Sequence, residues 1–284
     1  MSVVLLPGDA VDIASSSAIK LGPGLARNEG TLEQLVATTP GVFGHIDASS
    51  TAQSSLKSKM MDAGEPKRPQ VAEWIETNTK RYVPALRDSV VVQITNRGPE
   101  SYQCTLFTSS TPATLPSLSF EGATKRNKPN LKVGSLLYAT VVSAGRHVEP
   151  ELSCVASESG KSQGFGELKK ESEGVGMIFT VSCGLARSLL DPKHQLLQEV
   201  AAHFPFETAI GINGVIWVHA ASSKQAITIG QVLQRADEKA RHLAREGARA
   251  TVAATNANDD ALAIVRTRGL LDVAEIASIV DRMR

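Results

Sequence analysis

The stretch nearest to a catalytic motif is Gly160-Lys161-Ser162-Gln163-Gly164, which has the G-x-S-x-G spacing of a hydrolase nucleophile elbow. In such enzymes a strained strand-to-helix turn lifts the serine hydroxyl toward a histidine. Here the chain runs on into Gly164-Phe165-Gly166, which starts no helix, and no alternating strand–helix units flank it. Ser162 therefore reads as part of a flexible joint rich in small residues. The same stretch imitates the end of a Walker A loop, but the glycine required five positions before Gly160 is Val155, so the phosphate cradle cannot form. Metal chemistry fares no better. His45, His147, His194, His203, His219 and His242 form no H-E-x-x-H pattern and no pair with ligand spacing. Cys104, Cys154 and Cys183 are odd in number and far apart, which argues against a disulfide framework or a Cys-rich zinc site. Asp259-Asp260 reads as a helix start rather than an acid–base pair. No catalytic residue, metal or cofactor is expected.

Two other clusters point to binding. Lys125-Arg126-Asn127-Lys128-Pro129-Asn130-Leu131-Lys132 gathers four cations between two expected strands. The faces and loops of OB-folds contact single strands, so Lys125, Arg126, Asn127, Lys128 and Lys132 are candidate RNA contacts. Lys125, Arg126 and Lys128 are expected to meet phosphates. A loop that docks a protein partner fits the charge count equally well. Gly211-Ile212-Asn213-Gly214 has the G-x-x-G spacing with which KH modules bring bare backbone close to nucleotides. In a working clamp that loop lies between two helices and often carries a cation. Here both flanks are β-like and no Lys or Arg is present. Asn213-Gly214 suits a tight hairpin turn because both residues tolerate positive φ. Gly211, Asn213, Gly214 and the neighbouring Trp217 are read as a structural turn that fixes packing. Asn213→Ala is expected to cost roughly 1–2 kcal/mol of stability.

The composition frames these readings. With 42% hydrophobic and 21% charged residues, the 284-residue chain is an ordinary globular protein of two or three domains. A net charge of +1 is far from the basic excess of an autonomous nucleic-acid binder, so any phosphate-binding surface must be local or shared with an assembly. The first residues carry no signal-peptide pattern, and the uncharged stretch from Ser101 to Phe120 is too rich in Ser, Thr and Pro to span a bilayer. An intracellular setting with reduced thiols and no membrane partner is expected.

The elements that would position the clusters fall into regions. Residues 1–80 alternate short apolar runs with Pro7-Gly8, Gly22-Pro23-Gly24 and Pro40-Gly41, which predicts an N-terminal β domain with a polar, flexible loop at 49–70. Residues 81–158 hold five short strands, at 89–94, 102–107, 113–115, 136–142 and 151–155. No helical period lies among them, which suggests a closed OB-type barrel, with a partial sandwich as the alternative. After a Gly/Ser/Lys-rich joint, residues 166–236 mix strands and helices, with Pro192 interrupting a helical stretch from 184 to 204. Residues 237–284 read as a helical extension, with a final amphipathic stretch from Asp260 to Met283. The fold class is thus α+β and multidomain.

At Gly211-Ile212-Asn213-Gly214-Val215-Ile216-Trp217-Val218 the chain resembles the G-x-N-G-x-I-W-V signature of RNA exosome cap subunits, which carry an S1-type OB domain followed by a KH domain. Leu118 to Asn130 resembles the barrel-loop segment of one branch of these, the ribosomal RNA-processing protein 40 type. Leu6-Pro7-Gly8-Asp9, Leu21-Gly22-Pro23-Gly24-Leu25, Arg81-Tyr82-Val83-Pro84, Glu149-Pro150-Glu151-Leu152 and Gly184 to Leu190 follow the family's order. The resemblance implies an N-terminal β domain, an S1-type barrel and a KH domain in a subunit without catalytic activity. It implies as partners RNA, RNase PH-like ring subunits, other cap subunits and a separate 3′-to-5′ exonuclease. It implies work in ribosomal RNA processing and RNA turnover, in nucleus, nucleolus and cytoplasm. The alternative is a free-standing OB/KH RNA-binding protein, for instance in translation. The loop at 49–70 and the tail beyond 236 carry no part of the resemblance.

Overall fold

The computed structural model describes residues 4–12, 19–28, 30, 34–47, 71–145, 148–156, 160–168, 174–192, 194–250 and 269–283. The polar loop expected at 49–70, His147 and the first part of the final amphipathic stretch lie outside them. The chain divides into two compact units: Met1–Asn78 with His242–Arg266, and Thr79–Arg241 with Thr267–Arg284.

In the first unit, β1 (Val4–Leu5), β2 (Ala10–Asp12), β3 (Ile19–Leu21), β4 (Leu25–Arg27), β5 (Gln34–Ala37), β6 (Gly41–Asp47) and β7 (Val71–Glu76) form two small sheets. Their orders are β1-β6-β7-β3 and β2-β5-β4. The proline–glycine pairs do the turning expected of them, with Gly8 and Gly24 at φ of 99° and 85°. Alternate residues of β5, Leu35 and Ala37, point into a core with Leu5, Leu25 and Ile75.

The second unit opens with the barrel, built from β8 (Ser89–Arg97), β9 (Ser101–Thr105), β10 (Ala113–Pro116), β11 (Leu136–Gly145) and β12 (Val148–Ser153). Hydrogen-bonded neighbours run β12-β10-β9-β8-β11, and β11 pairs with β12 to close the ring. The third and fifth strands are parallel and the other pairs antiparallel, the strand order of a five-stranded OB-fold rather than a sandwich. The period-2 pattern is why these segments become strands: Tyr102 and Cys104 of β9, Ala113 and Leu115 of β10, and Leu137, Ala139 and Val141 of β11 all face inward.

The Gly/Ser/Lys-rich joint is a built part of this barrel. Ala156 donates to the Lys161 carbonyl at 2.9 Å, Ser162 donates its N–H to the Glu121 carboxylate at 2.8 Å, and β13 (Gly166–Glu167) pairs with β11. Residues 166–167 thus extend the barrel sheet rather than opening the next domain. Ser162 lies among turns that lead into a two-residue strand, the wrong setting for a nucleophile elbow.

Next come β14 (Val175–Thr180), α1 (Cys183–Leu189), α2 (Leu196–Ala201), β15 (Phe206–Ile210), β16 (Val215–Ala220) and α3 (Ser223–Ala250). The antiparallel sheet has β16 in the centre, and Pro192 lies in the turn between α1 and α2. Ser182 caps α1, its hydroxyl accepting from Leu185 N–H at 3.4 Å while its own N–H donates to buried Asp237 at 3.1 Å. Ala226, Ile229, Leu233, Ala236 and Ala240 form the inward stripe of α3. The helix runs unbroken through residue 236, where an extension was expected to begin. A last helix, α4 (Val273–Met283), shares this core through Ile276 and Val280 and is tied to α3 by a Lys239–Glu275 ion pair of 2.9 Å. Among the described residues no helix is long and apolar enough to cross a membrane.

Candidate nucleic-acid interface

The basic loop leaves β10, crosses the end of the barrel and enters β11. Its tip is a closed four-residue turn: Thr124 and Asn127 exchange both backbone hydrogen bonds at 3.1 Å. Lys125 and Arg126 occupy the two central positions and both are exposed. The backbone N–H of Asn127 also donates to the Thr124 hydroxyl at 3.1 Å, and the residue is exposed. Past the tip the loop is pinned. Leu131 is buried among the barrel core residues, and Tyr102 donates its hydroxyl to the Pro129 carbonyl. Lys128 donates to the Pro99 carbonyl at 3.0 Å, and Arg97 donates to the Asn130 side chain. Lys132 is exposed and starts the turn into β11, its carbonyl accepting from Ser135 N–H at 3.1 Å.

These contacts divide the expected RNA contacts into two kinds. Lys125, Arg126 and Lys132 pair with no carboxylate among the described residues. Lys128 keeps its charge but is committed to holding the loop against the β8–β9 hairpin. Glu121, the acidic residue of the same loop, is occupied by the Ser162 hydroxyl and N–H, which hold its carboxyl below the usual range. Sequence reasoning missed Arg97, Tyr102 and Asn130 as parts of this ledge. Their signal is spatial, because each lies 27 to 33 residues from its partner.

The G-x-N-G segment does something else. It is the turn between β15 and β16, closed by Gly214 N–H to the Gly211 carbonyl at 3.0 Å and by Gly211 N–H to the Val215 carbonyl at 2.9 Å. Only Gly214 has positive φ, at 75°; Asn213 does not, so the preference of an Asn-Gly pair for two left-handed residues is not what selects it. The asparagine is chosen for its amide. Asn213 is fully buried and reaches out of the KH-like sheet into the barrel. Its Nδ2 donates to the carbonyls of Val91 and Leu106 at 2.8 and 3.0 Å, and its Oδ1 accepts from Val91 N–H at 3.2 Å. The amide thereby pairs with Val91 of β8 as a neighbouring strand would.

The neighbouring residues tighten the joint. Phe107 adopts a left-handed φ of 60° just where the Leu106 carbonyl and the Thr108 hydroxyl both meet Asn213. Ile212 N–H donates to the Ser89 carbonyl at 2.8 Å, and Tyr138 of β11 donates its hydroxyl to the Ile210 carbonyl at 3.2 Å. No side chain fits at Gly211, where a Cβ would lie 2.6 Å from the Val91 nitrogen. Trp217, grouped with this turn from the sequence, instead lies mid-strand in β16, opposite Ile178 and Ala209, and stacks on His219 at 5.8 Å. The connection between α1 and α2, where a KH clamp would lie, has the sequence Leu190-Asp191-Pro192-Lys193-His194-Gln195, which contains no glycine.

Family models match both halves of this unit. Residues 82–166 match the S1 domain of exosome complex component RRP40, and residues 176–224 match a KH domain. The fission yeast exosome complex component rrp40 (Schizosaccharomyces pombe) is 35% identical over 226 residues, 78% of this chain and 83% of that protein. The chain belongs to the RRP40 family. The RRP40 of Saccharomyces cerevisiae is 36% identical over 219 residues, 77% of this chain and 82% of that protein. Human RRP40 is 38% identical over 161 residues, covering 57% of this chain and 56% of the human one. The resemblance read from the G-x-N-G and barrel-loop segments is thus borne out, as is the order of an S1 barrel followed by a KH domain. In this RRP40-type chain the G-x-N-G loop is spent on the joint between those two domains, and the exposed cations of the basic loop lie on the barrel.

Proposed function

We propose that this chain is a non-catalytic, RNA-binding cap subunit of the RNA exosome. It steadies a ring of RNase PH-like subunits beside other cap subunits and guides RNA toward the pore and a separate 3′-to-5′ exonuclease. The observation that carries the reading is the length of the likeness to exosome components, 226 residues through the same S1–KH pair. Two features of the molecule support it. The barrel presents Lys125, Arg126 and Lys132 on a pinned loop, an arrangement that can track a phosphate backbone without demanding a sequence. The net charge of +1 fits a surface that is local and completed by neighbours. Ribosomal RNA maturation and RNA turnover in nucleus, nucleolus and cytoplasm follow from the same assignment.

The test of the loop is charge reversal of its three cations that pair with no carboxylate among the described residues: Lys125→Glu, Arg126→Glu and Lys132→Glu together, introduced into the full chain. The expected result is weaker RNA capture or weaker assembly with the ring at an unchanged melting temperature. RNA capture and assembly equal to the unaltered chain would overturn the role given to the loop.

A further inference from the structure

The sequence places the cations of the basic loop in one run, but the structure adds one from elsewhere. Arg97 ends β8 and is exposed, and its guanidinium donates to Asn130 Oδ1 across 33 residues of chain. The same hairpin accepts Lys128 at the Pro99 carbonyl and sends the Tyr102 hydroxyl to the Pro129 carbonyl. Three ties thus join the β8–β9 hairpin to the basic loop, and all three end on neutral acceptors. The positive charges are held in place without being neutralised. A guanidinium has five N–H donors, and the tie to Asn130 uses one edge of the fork. No carboxylate pairs with Arg97 among the described residues. Glu100 on the hairpin and Glu121 on the loop are the acidic side chains of the joined elements, against Arg97, Lys125, Arg126, Lys128 and Lys132.

We infer that Arg97 is a phosphate-contacting residue of the RNA surface, acting with Lys125 and Arg126, and that Asn130 is the positioning residue that aims it. The inference rests on the RNA-binding reading above and extends the surface from one loop to two elements of the barrel. Arginine suits this place because its planar fork meets a phosphate with two parallel hydrogen bonds. Holding the side chain on Asn130 before RNA arrives lowers the ordering cost of that contact. A single-stranded ligand is favoured over an acidic protein surface. The hairpin and loop cap one barrel of a fold whose faces and connecting loops receive oligonucleotides.

The test measures the affinity of the full chain for a fluorescent single-stranded oligouridylate as a function of salt, starting at low ionic strength. Each phosphate contact on a single strand contributes about 0.7 to the slope of log affinity against log salt. Arg97→Gln is expected to flatten the slope by about 0.7, and Lys125→Gln with Arg126→Gln by about 1.4. Arg97→Lys keeps the slope while losing affinity. Asn130→Ala is expected to weaken binding about threefold in the unaltered chain and to have no further effect when Arg97 is already Gln. A flattened slope for the Lys125/Arg126 pair with an unchanged slope for Arg97→Gln would overturn the inference and leave the RNA-binding reading standing. No measurable binding by the unaltered chain at low salt, or a slope that none of these variants changes, would overturn both. Equal effects of Asn130→Ala in the two backgrounds would overturn its positioning role. Melting temperatures taken on the same samples separate all of these from unfolding.

Discussion

Replacing Asn213 by alanine should damage the joint between barrel and KH domain far more than a turn substitution would. Three hydrogen bonds are lost, at 2.8, 3.0 and 3.2 Å, from a side chain with 0% exposure. The Leu106 carbonyl keeps a second donor, Thr108 N–H at 2.7 Å. Val91 loses the partner of both its N–H and its carbonyl, and β9 cannot replace it, because the β8–β9 ladder begins only at Gln93 and Thr105. A buried backbone group left without a partner costs roughly 1–3 kcal/mol, so two of them give about 2–6 kcal/mol. That range lies above the roughly 1–2 kcal/mol expected from the sequence for a damaged turn. Urea unfolding of the full chain, followed by the fluorescence of Trp74 and Trp217, gives the loss of stability. Hydrogen exchange at the Val91 amide shows where it arises. Asn213→Asp should be at least as damaging at neutral pH, because the carboxylate still accepts from Val91 N–H but cannot donate and buries a charge. A loss below about 1 kcal/mol for Asn213→Ala, with Val91 still protected, would show that the amide does not hold the joint.

Gly211→Ala should destabilise the same joint by about 3 kcal/mol in urea unfolding, since the new methyl would lie 2.1 Å from Asn213 Oδ1 and 2.6 Å from the Val91 nitrogen. A variant as stable as the parent would show that the turn can shift at no cost. Burial raises the Asp88 carboxyl above its ordinary value, although the Tyr82 hydroxyl, 2.7 Å away, and the neighbouring backbone pull it back. An acid with a raised folded pKa contributes stability that is full below its unfolded value of about 3.9 and is lost as pH climbs through the folded value. The stability of the parent relative to Asp88→Asn, which keeps an acceptor for Tyr82, should therefore decline as pH rises from about 4 toward neutrality. A difference that stays constant with pH would contradict this. Burial pushes the Cys104 and Cys154 thiols up to about 12 and raises Cys183 as well. Iodoacetamide at pH 8 should label none of the three until urea is added, and rapid labelling of the native chain would show that the barrel opens.

What the sequence disclosed follows from the range of the interactions involved. The barrel strands were legible because alternation and turn residues are local signals: the strands expected at 89–94 and 136–142 appear as Ser89–Arg97 and Leu136–Gly145. The basic loop was legible as a charge run, and its Thr124–Asn127 tip is a local turn as well. The role of Asn213 was legible only in outline. Its structural nature could be read from the absence of a cation and the β-like flanks, but its partners Val91 and Leu106 lie 122 and 107 residues away. Local propensity at an Asn-Gly pair therefore suggested the wrong reason for the asparagine. Arg97 escaped notice for the same cause, since a lone cation at a strand end gains meaning only beside Asn130. The Gly160–Gly166 segment looked like a free joint because its composition is that of a linker; its attachment to Glu121 and to β11 depends on where the barrel brings them. The amphipathic pattern of the C-terminal stretch announced α4, whereas the core that receives Ile276 and Val280 had to be seen.

The most direct test of the central claim is affinity purification of the tagged full chain at moderate salt, with the co-purifying proteins identified and quantified by mass spectrometry. RNase PH-like subunits are expected in stoichiometric amounts, accompanied by other cap subunits and a 3′-to-5′ exonuclease. Recovery of the chain alone, or with ribosomes in place of those subunits, would contradict that claim.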